Sequence, residues 1–476
     1  MEKNYKYLVK NIGLLSVSQL GTKIIGFFLI PLYTNVLTTE EYGTYDLYST
    51  TISLLIPILT LNIMQSVMRF SLDQENDKKA VFSFGLNIFV KGLLVFLGLV
   101  LLNLQFNLLP IINQYLLIFI LFYLTSSTQQ MLVYFARGID DVAAVSVGGL
   151  IDSAVMLSLN VLFLIPMHMG LTGYFYASVI GLVACDLYMI LKTKIWQYIT
   201  FKKGEFSLHA DMIAYAAPLI LNAIAWWVNN ASDRYVVIAL CGVAANGIYS
   251  VAYKIPNILS MFQNIFNQAW TISAVKDYDY NDSNGFFTRM YNTYNSMMVL
   301  MCSILMVGDR IIARLLYAKD FYEAWKYAPF LLIAIVFGAL SGYIGGIFSA
   351  VKDSKIYAHS TVIGAVVNII MNLVLVHFFG PIGAAIATAI SYFIVWGVRF
   401  LKLKQYINIH VNIVRDCVAY SLLLVQAVAL LVIQRNMLYI YITEFTLLLS
   451  VVVAYKSELF SLFFLLLKKK KKMKGE

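Results

Sequence analysis

Within strongly apolar sequence, residues 226–256 read WWVNNASDRYVVIALCGVAANGIYSVAYKIP and place Asp233, Arg234 and Lys254 where charges need a reason. Ionisable groups at membrane depth are costly, so they face a water-filled interior, pair with each other or line a substrate path. Trp226, Asn230 and Arg234 recur every four residues, and Asn222, Asn229 and Asp233 form an adjacent polar stripe. A helix of that pattern turns its polar side to an aqueous interior. Surplus positive charge there suits a polyanion, phosphate or diphosphate above all, because arginine forks onto phosphate oxygens and lysine acts as a point charge.

Other charges join this set. Lys23 and Lys91 stand mid-span and Arg234 and Lys254 in the outer parts of spans, so most of the interior charges are cationic; Arg69 stands at the inner end of a span near the interface, as part of a gating pair or as a solvated end. Asp152, Asp186 and Asp233 are acids within spans, able to exchange protons or bind sodium and equally able to serve as counter-ions. Trp226, Trp227, Trp270, Tyr249 and Tyr253 could stack on sugar rings, although aromatics also gather at membrane interfaces. Glu444, Lys456 and Glu458 read as structural.

No enzyme constellation is recognisable. The histidines at 168, 209, 359, 377 and 410 lack metal-ligand spacing, and no serine has a recognisable base and oxyanion donor. Cys185, Cys241, Cys302 and Cys417 lie far apart without a CxxC and read as packing residues. No cofactor is implied beyond a coupling H+ or Na+. A membrane glycan polymerase or ligase is the enzyme alternative, but it would call for a sizeable outer loop, and these loops are short.

The elements that must position these residues are membrane helices. The chain is 60% hydrophobic and 13% charged, with a mean hydropathy of +0.76. About fourteen apolar segments, from roughly 12–36 to roughly 437–467, are each long enough to cross a bilayer, giving an all-α polytopic protein without a sizeable soluble domain. The net charge of +10 resides largely in loops on one side, including the lysine run 468–472, so it orients the chain with both termini in the cytoplasm and does not indicate nucleic acid.

A basic loop near the middle divides the chain into an N-lobe at 1–199, a C-lobe at 200–411 and an added pair of helices with a basic tail at 412–476. A slide of 204 residues superposes GTYDLY, from Gly43, on GIYSVA, from Gly247; a slide of 210 superposes Gly170, Gly173 and Ala177 on Gly380, Gly383 and Ala387. Such offsets indicate a duplicated six-helix unit. Gly338, Gly342 and Gly346 make a small-residue ridge for close helix packing, with a hinge as the alternative.

Two motifs carry a family resemblance: SQLGTKIIGFFLIPLYTNVLTTEEYGTYDLY at 18–48, and SDRYVV at 232–237 followed by GIYSVAYKIP at 247–256. On these residues the chain resembles the Wzx-type polysaccharide flippases, in the superfamily that also holds lipid II flippases and multidrug and toxin extrusion transporters. The resemblance implies two six-helix lobes and alternating access that moves an undecaprenyl-diphosphate-linked oligosaccharide to the outer leaflet of a bacterial inner membrane. It implies diphosphate contacts at Lys23, Arg234 and Lys254, with Arg69, Lys91, Asn230 and Trp226 as further cavity residues. Lysine stands at 23 and 254 where related cavities often carry arginine, which puts a bidentate contact there in question. The partners implied are the lipid-linked glycan, membrane lipids, a polysaccharide polymerase and a chain-length regulator. A lipid II flippase and a cation-coupled drug exporter are the nearest alternatives; the latter would be expected to have an acidic cavity.

Overall fold

The structure is a computed structural model that describes residues 26–460 apart from 74, 201–205, 352 and 434–436. The described chain is helical and falls into two compact units, Met1–Trp227 and Val228–Glu476. Ten of its helices are long and apolar enough to span a membrane, and a bent pair makes an eleventh. Three of the expected segments meet other circumstances. The first lies mostly outside the described residues, the eighth is broken, and the ninth is a 31-residue helix that carries Asp309, Arg310 and Arg314.

The first unit contains α1 (Ile30–Val36), α2 (Thr39–Leu59), α3 (Ile63–Leu72), α4 (Lys78–Phe106), α5 (Leu116–Gly138), α6 (Val142–Leu164) and α7 (Gly170–Thr193). Thr38 and Glu41 form a reciprocal capping box that starts α2, satisfying backbone donors that a helix start leaves open. The left-handed Leu61 and Asn62 follow the end of that helix, and α3 departs at 60°. Phe82, Phe96, Tyr123, Phe135 and Phe175 build the core between these helices. The long α8 (Phe206–Cys241) contributes residues 206–227 to this unit. There the Ser66 hydroxyl donates to the Met212 carbonyl at 2.7 Å, and Trp227 Nε1 donates to the Thr50 carbonyl at 3.1 Å.

The second unit takes the remainder of α8, then α9 (Val243–Ala252), α10 (Pro256–Lys276), α11 (Phe286–Leu316), α12 (Ala328–Ala350), α13 (Ser354–Phe379), α14 (Pro381–Leu403), α15 (Ile413–Val432) and α16 (Met437–Ala454). Its α9 begins 204 residues after α2, and α12 and α13 each begin 212 residues after α5 and α6. The glycine ridge of α12 lies on α10. A Cβ at Gly342 would come within 2.8 Å of Asn267 Nδ2, and one at Gly346 within 2.6 Å of Trp270 Nε1, which itself donates to the Tyr343 carbonyl at 2.8 Å. The ridge is therefore a packing surface in this structure. Trp270 is buried in a stack with Tyr343 and Phe266, so it belongs to the core and not to a sugar platform or interface belt.

Candidate functional site

The site of the second unit is built on the last turns of α8 and on the break between α9 and α10. Residues 253–255 interrupt what the sequence reads as one span, and Pro256 opens α10 at a position where its missing N–H costs nothing. Lys254 sits in that interruption. It is half-buried, and its ammonium makes no hydrogen bond or ion pair with any described residue.

Asp233 is 2% exposed. Its Oδ2 accepts from the Tyr249 and Tyr253 hydroxyls, each at 2.6 Å, and its Oδ1 accepts from the Arg234 backbone N–H at 3.0 Å. Tyr249 and Tyr253 lie one helical turn apart, which lets both reach one carboxylate oxygen. Hydrogen bonds to a charged group are worth about 1.5–3 kcal/mol each, so these tyrosines offset much of the cost of burying the acid. Asp233 thus forms no ion pair with Lys254.

Arg234 turns away from its neighbour. Its Nη1 donates to the Asn230 carbonyl at 3.2 Å, and its guanidinium carbon stands 5.2 Å from the Tyr253 ring centroid. Asn230 is exposed and its Oδ1 accepts from the Tyr392 hydroxyl at 3.0 Å, which ties α8 to α14. On the adjoining face, Ser232 Oγ reaches Asn368 Oδ1 at 3.4 Å, and Asn372 Nδ2 donates to the same oxygen at 3.0 Å. The Asn368 Nδ2 and Asn372 Oδ1 atoms are buried without a partner among the described residues. Close by, buried Arg399 donates to Ser360 Oγ and to the Ser341 carbonyl, both at 2.8 Å, and to Thr361 Oγ1 at 3.0 Å.

Tyr392, Asn368, Asn372 and Arg399 escape the sequence reading. Asn368 and Asn372 at i and i+4 inside an apolar span are the signal that could have found the asparagines. Arg399 lies close enough to a helix end to pass for a loop charge.

The other sequence candidates are dispersed. Trp226 belongs to the first unit and is 47% exposed. Lys91 is exposed on α4 beside the exposed apolar Val90, Leu94 and Val95, without a hydrogen bond or ion pair among the described residues. Arg69 is half-exposed and pairs with Asp73 at 2.6 Å on its own helix. Lys23 lies outside the described residues. Asp152 and Asp186 do come together, on α6 and α7. A Cβ at Gly181 would stand 2.7 Å from Asp152 Oδ1, Gln129 of α5 lies beside Asp152, and Asp186 Oδ1 is buried without a partner among the described residues. The four cysteines are free, with Cys185 and Cys302 buried and Cys417 exposed. No group of three metal-ligating side chains occurs among the described residues.

Long apolar helices in two units with recurring order, and polar clusters where the helices break, define a multi-pass membrane protein. The chain belongs to the polysaccharide biosynthesis protein family, whose sequence profile matches residues 8–272. It is similar to the probable low-salt glycan biosynthesis flippase Agl15 of Haloferax volcanii, with 23% identity over 202 residues. That match covers 40% of this chain and 42% of the relative, less than half the relative's length.

In fold it is similar to the lipid II flippase MurJ in its inward closed conformation, with a TM-score of 0.67 and 17% identity over 95% of this chain and 99% of that one. It is also similar to an inward-facing multidrug resistance MATE family transporter of the MOP superfamily, with a TM-score of 0.65 and 13% identity over 85% of this chain and 99% of that one. At such identities the likeness is one of fold. It agrees with the all-helical class that the sequence indicates.

Proposed function

We propose that the protein is a flippase for lipid-linked glycans: it carries undecaprenyl-diphosphate-linked oligosaccharide units from the inner to the outer leaflet of a bacterial cytoplasmic membrane by alternating access. The observation that carries this reading is the charge arrangement at the broken span. Asp233 is satisfied by Tyr249 and Tyr253 and forms no ion pair with Lys254, whose ammonium has no ion pair among the described residues and keeps its charge for an anionic ligand. Membership of a polysaccharide biosynthesis family supports a glycan cargo, and the flippase named among the relatives supports movement across the bilayer. A cationic site disfavours a carrier of cationic drugs and favours a diphosphate.

In this reading Arg234 contacts the diphosphate through its fork and Lys254 as a point charge, with Lys23 as a third cation. Asn230, held by Tyr392, stands beside Arg234 to accept or donate to the first sugar. Asp233 and the pair Asp152 and Asp186 are the candidates for coupling to H+ or Na+. A polymerase and a chain-length regulator would receive the translocated units.

The test is reconstitution into vesicles with lipid-linked oligosaccharide in one leaflet and an enzyme or lectin that reads its arrival in the other. Arrival that depends on the protein supports the proposal. Equal arrival with empty vesicles sinks it, and preference for lipid II over longer lipid-linked glycans would move the assignment to peptidoglycan precursors.

A further inference from the structure

Away from the broken span, the second unit buries acids that the proposed transport site does not use. Asp309 of α11 is fully buried, and neither carboxylate oxygen has a partner among the described residues. Glu444 of α16 is likewise fully buried. Its Oε2 accepts from Gln426 Nε2 at 3.1 Å, and its Oε1 has no partner among the described residues. The Gln426 amide is committed in both directions, since its Oε1 accepts from the Ser303 hydroxyl at 2.8 Å. Asp309 lies within Coulombic range of both Arg310 and Glu444.

Arg310 is buried beside them and turns one nitrogen elsewhere, while its Nε has no partner among the described residues. Its Nη2 donates to the Leu430 carbonyl at 2.5 Å and to the Ile433 carbonyl at 3.3 Å, at the end of α15, and its guanidinium stacks 4.1 Å above Trp325. A cation placed on the last carbonyls of a helix is well stabilised there. It therefore forms no ion pair with either acid, although it lies near enough to balance one of the two charges.

The remaining charges on the surrounding elements do not supply the difference. None occurs on α12, and Arg415 and Asp416 of α15 are engaged with each other and with Glu458 at the opposite end of the helix pair. Lys326 and Glu323 pair on the short segment Lys319–Lys326, which also carries Lys319 and Asp320, one charge of each sign. Arg314 is exposed on α11, and Arg435 lies outside the described residues. With both acids ionised, Asp309, Arg310 and Glu444 sum to a single negative charge. A buried, unpaired carboxylate is strongly disfavoured, whereas one further positive charge leaves the group neutral.

We propose that Asp309 and Glu444 form a binding site for one monovalent cation, a proton or Na+, between α11, α15 and α16. Its carboxylate oxygens bind the ion, Gln426 fixes Glu444, and Arg310 sets the stoichiometry at one. This inference does not depend on the cargo, because it concerns a site of its own.

The full-length protein in nanodiscs is compared with Asp309→Asn and Glu444→Gln, each of which reproduces the neutral occupied state. Bound 22Na+ is measured at alkaline pH against choline, and the infrared carbonyl stretch of protonated carboxylic acids is recorded over the same pH range. If Na+ is the ion, wild type holds one more Na+ per chain than either variant. If the proton is the ion, Na+ binding is equal, and a buried carboxylic acid band present in wild type disappears in a variant. Equal Na+ binding together with equal infrared bands overturns the site. Failure of both neutral variants to fold also overturns it, since the proposal requires the neutral state to be the stable one.

Discussion

Asp233, Arg234 and Lys254 stood out in the sequence because charge is expensive in apolar surroundings, and that argument needs no neighbours. What each does could not be read the same way, since the partners of Asp233 are aromatics that also suit a membrane interface, and Tyr392 lies far along the chain. The structure separates them: Asp233 is held by two hydroxyls, whereas Lys254 is not spent on it. Replacing either cation with alanine is expected to lower lipid-linked glycan transport about ten- to a hundredfold, the worth of a lost charge-assisted contact of about 1.5–3 kcal/mol, while membrane abundance stays level. Immunoblots run beside the vesicle assay check both halves, and parallel loss of protein would assign the residues to stability. The tyrosines give the opposite expectation. Tyr249→Phe with Tyr253→Phe leaves a buried carboxylate stripped of two donors, so the melting temperature in detergent should fall, and Asp233→Asn on that background should recover part of it. No fall would mean that Asp233 is solvated by another route.

The helices themselves were largely legible, because a run of about 20 apolar residues needs no tertiary context. Their interruptions were not. Pro57 lies within α2 without ending it, and the chain turns at Leu61 and Asn62, whose left-handed backbones nothing in their residue types demands. Likewise YKI precedes Pro256 in a segment whose hydropathy reads straight through. The glycine ridge of α12 was legible as a packing device, but its partner was not, since Asn267 and Trp270 meet Gly342 and Gly346 only once α10 is laid on α12. The fit is tight enough to make a strong prediction. Gly346→Leu should drive the side chain into the Trp270 ring and cost about 1–3 kcal/mol, as overpacking does. Gly98→Ala on α4, where a Cβ meets nothing within 4 Å, should be neutral or slightly stabilising. Thermal melts of the two purified variants against wild type check the pair; equal melting temperatures would leave the ridge without a packing role.

At the scale of the molecule, recurring element starts expose a repeat that faint motif matches only hinted at, because packing preserves helix order after sequence has diverged. The compact units divide at Trp227 and Val228, inside α8, where a reading from loops sees no boundary: loop charge marks the chain's surface, while compactness follows which side chains touch. The pair α15 and α16 is joined to α11 by the Arg415, Asn292 and Glu458 cluster and by Ser303 with Gln426, so it is packed into the second unit. Two consecutive spans return the chain to the side it left, so the carboxyl end lies on the same side as the loop before α15. The lysines at 468–472 favour the cytoplasm for that end, since basic flanks resist translocation. Reporter fusions active on only one side of the membrane, placed after residue 408 in the loop before α15 and after the last residue, should therefore both report the cytoplasm, and a fusion between α15 and α16 should report the outside. If the two ends of the pair report opposite sides, one of these helices does not cross, and the topology inferred from the distribution of lysine and arginine fails with it.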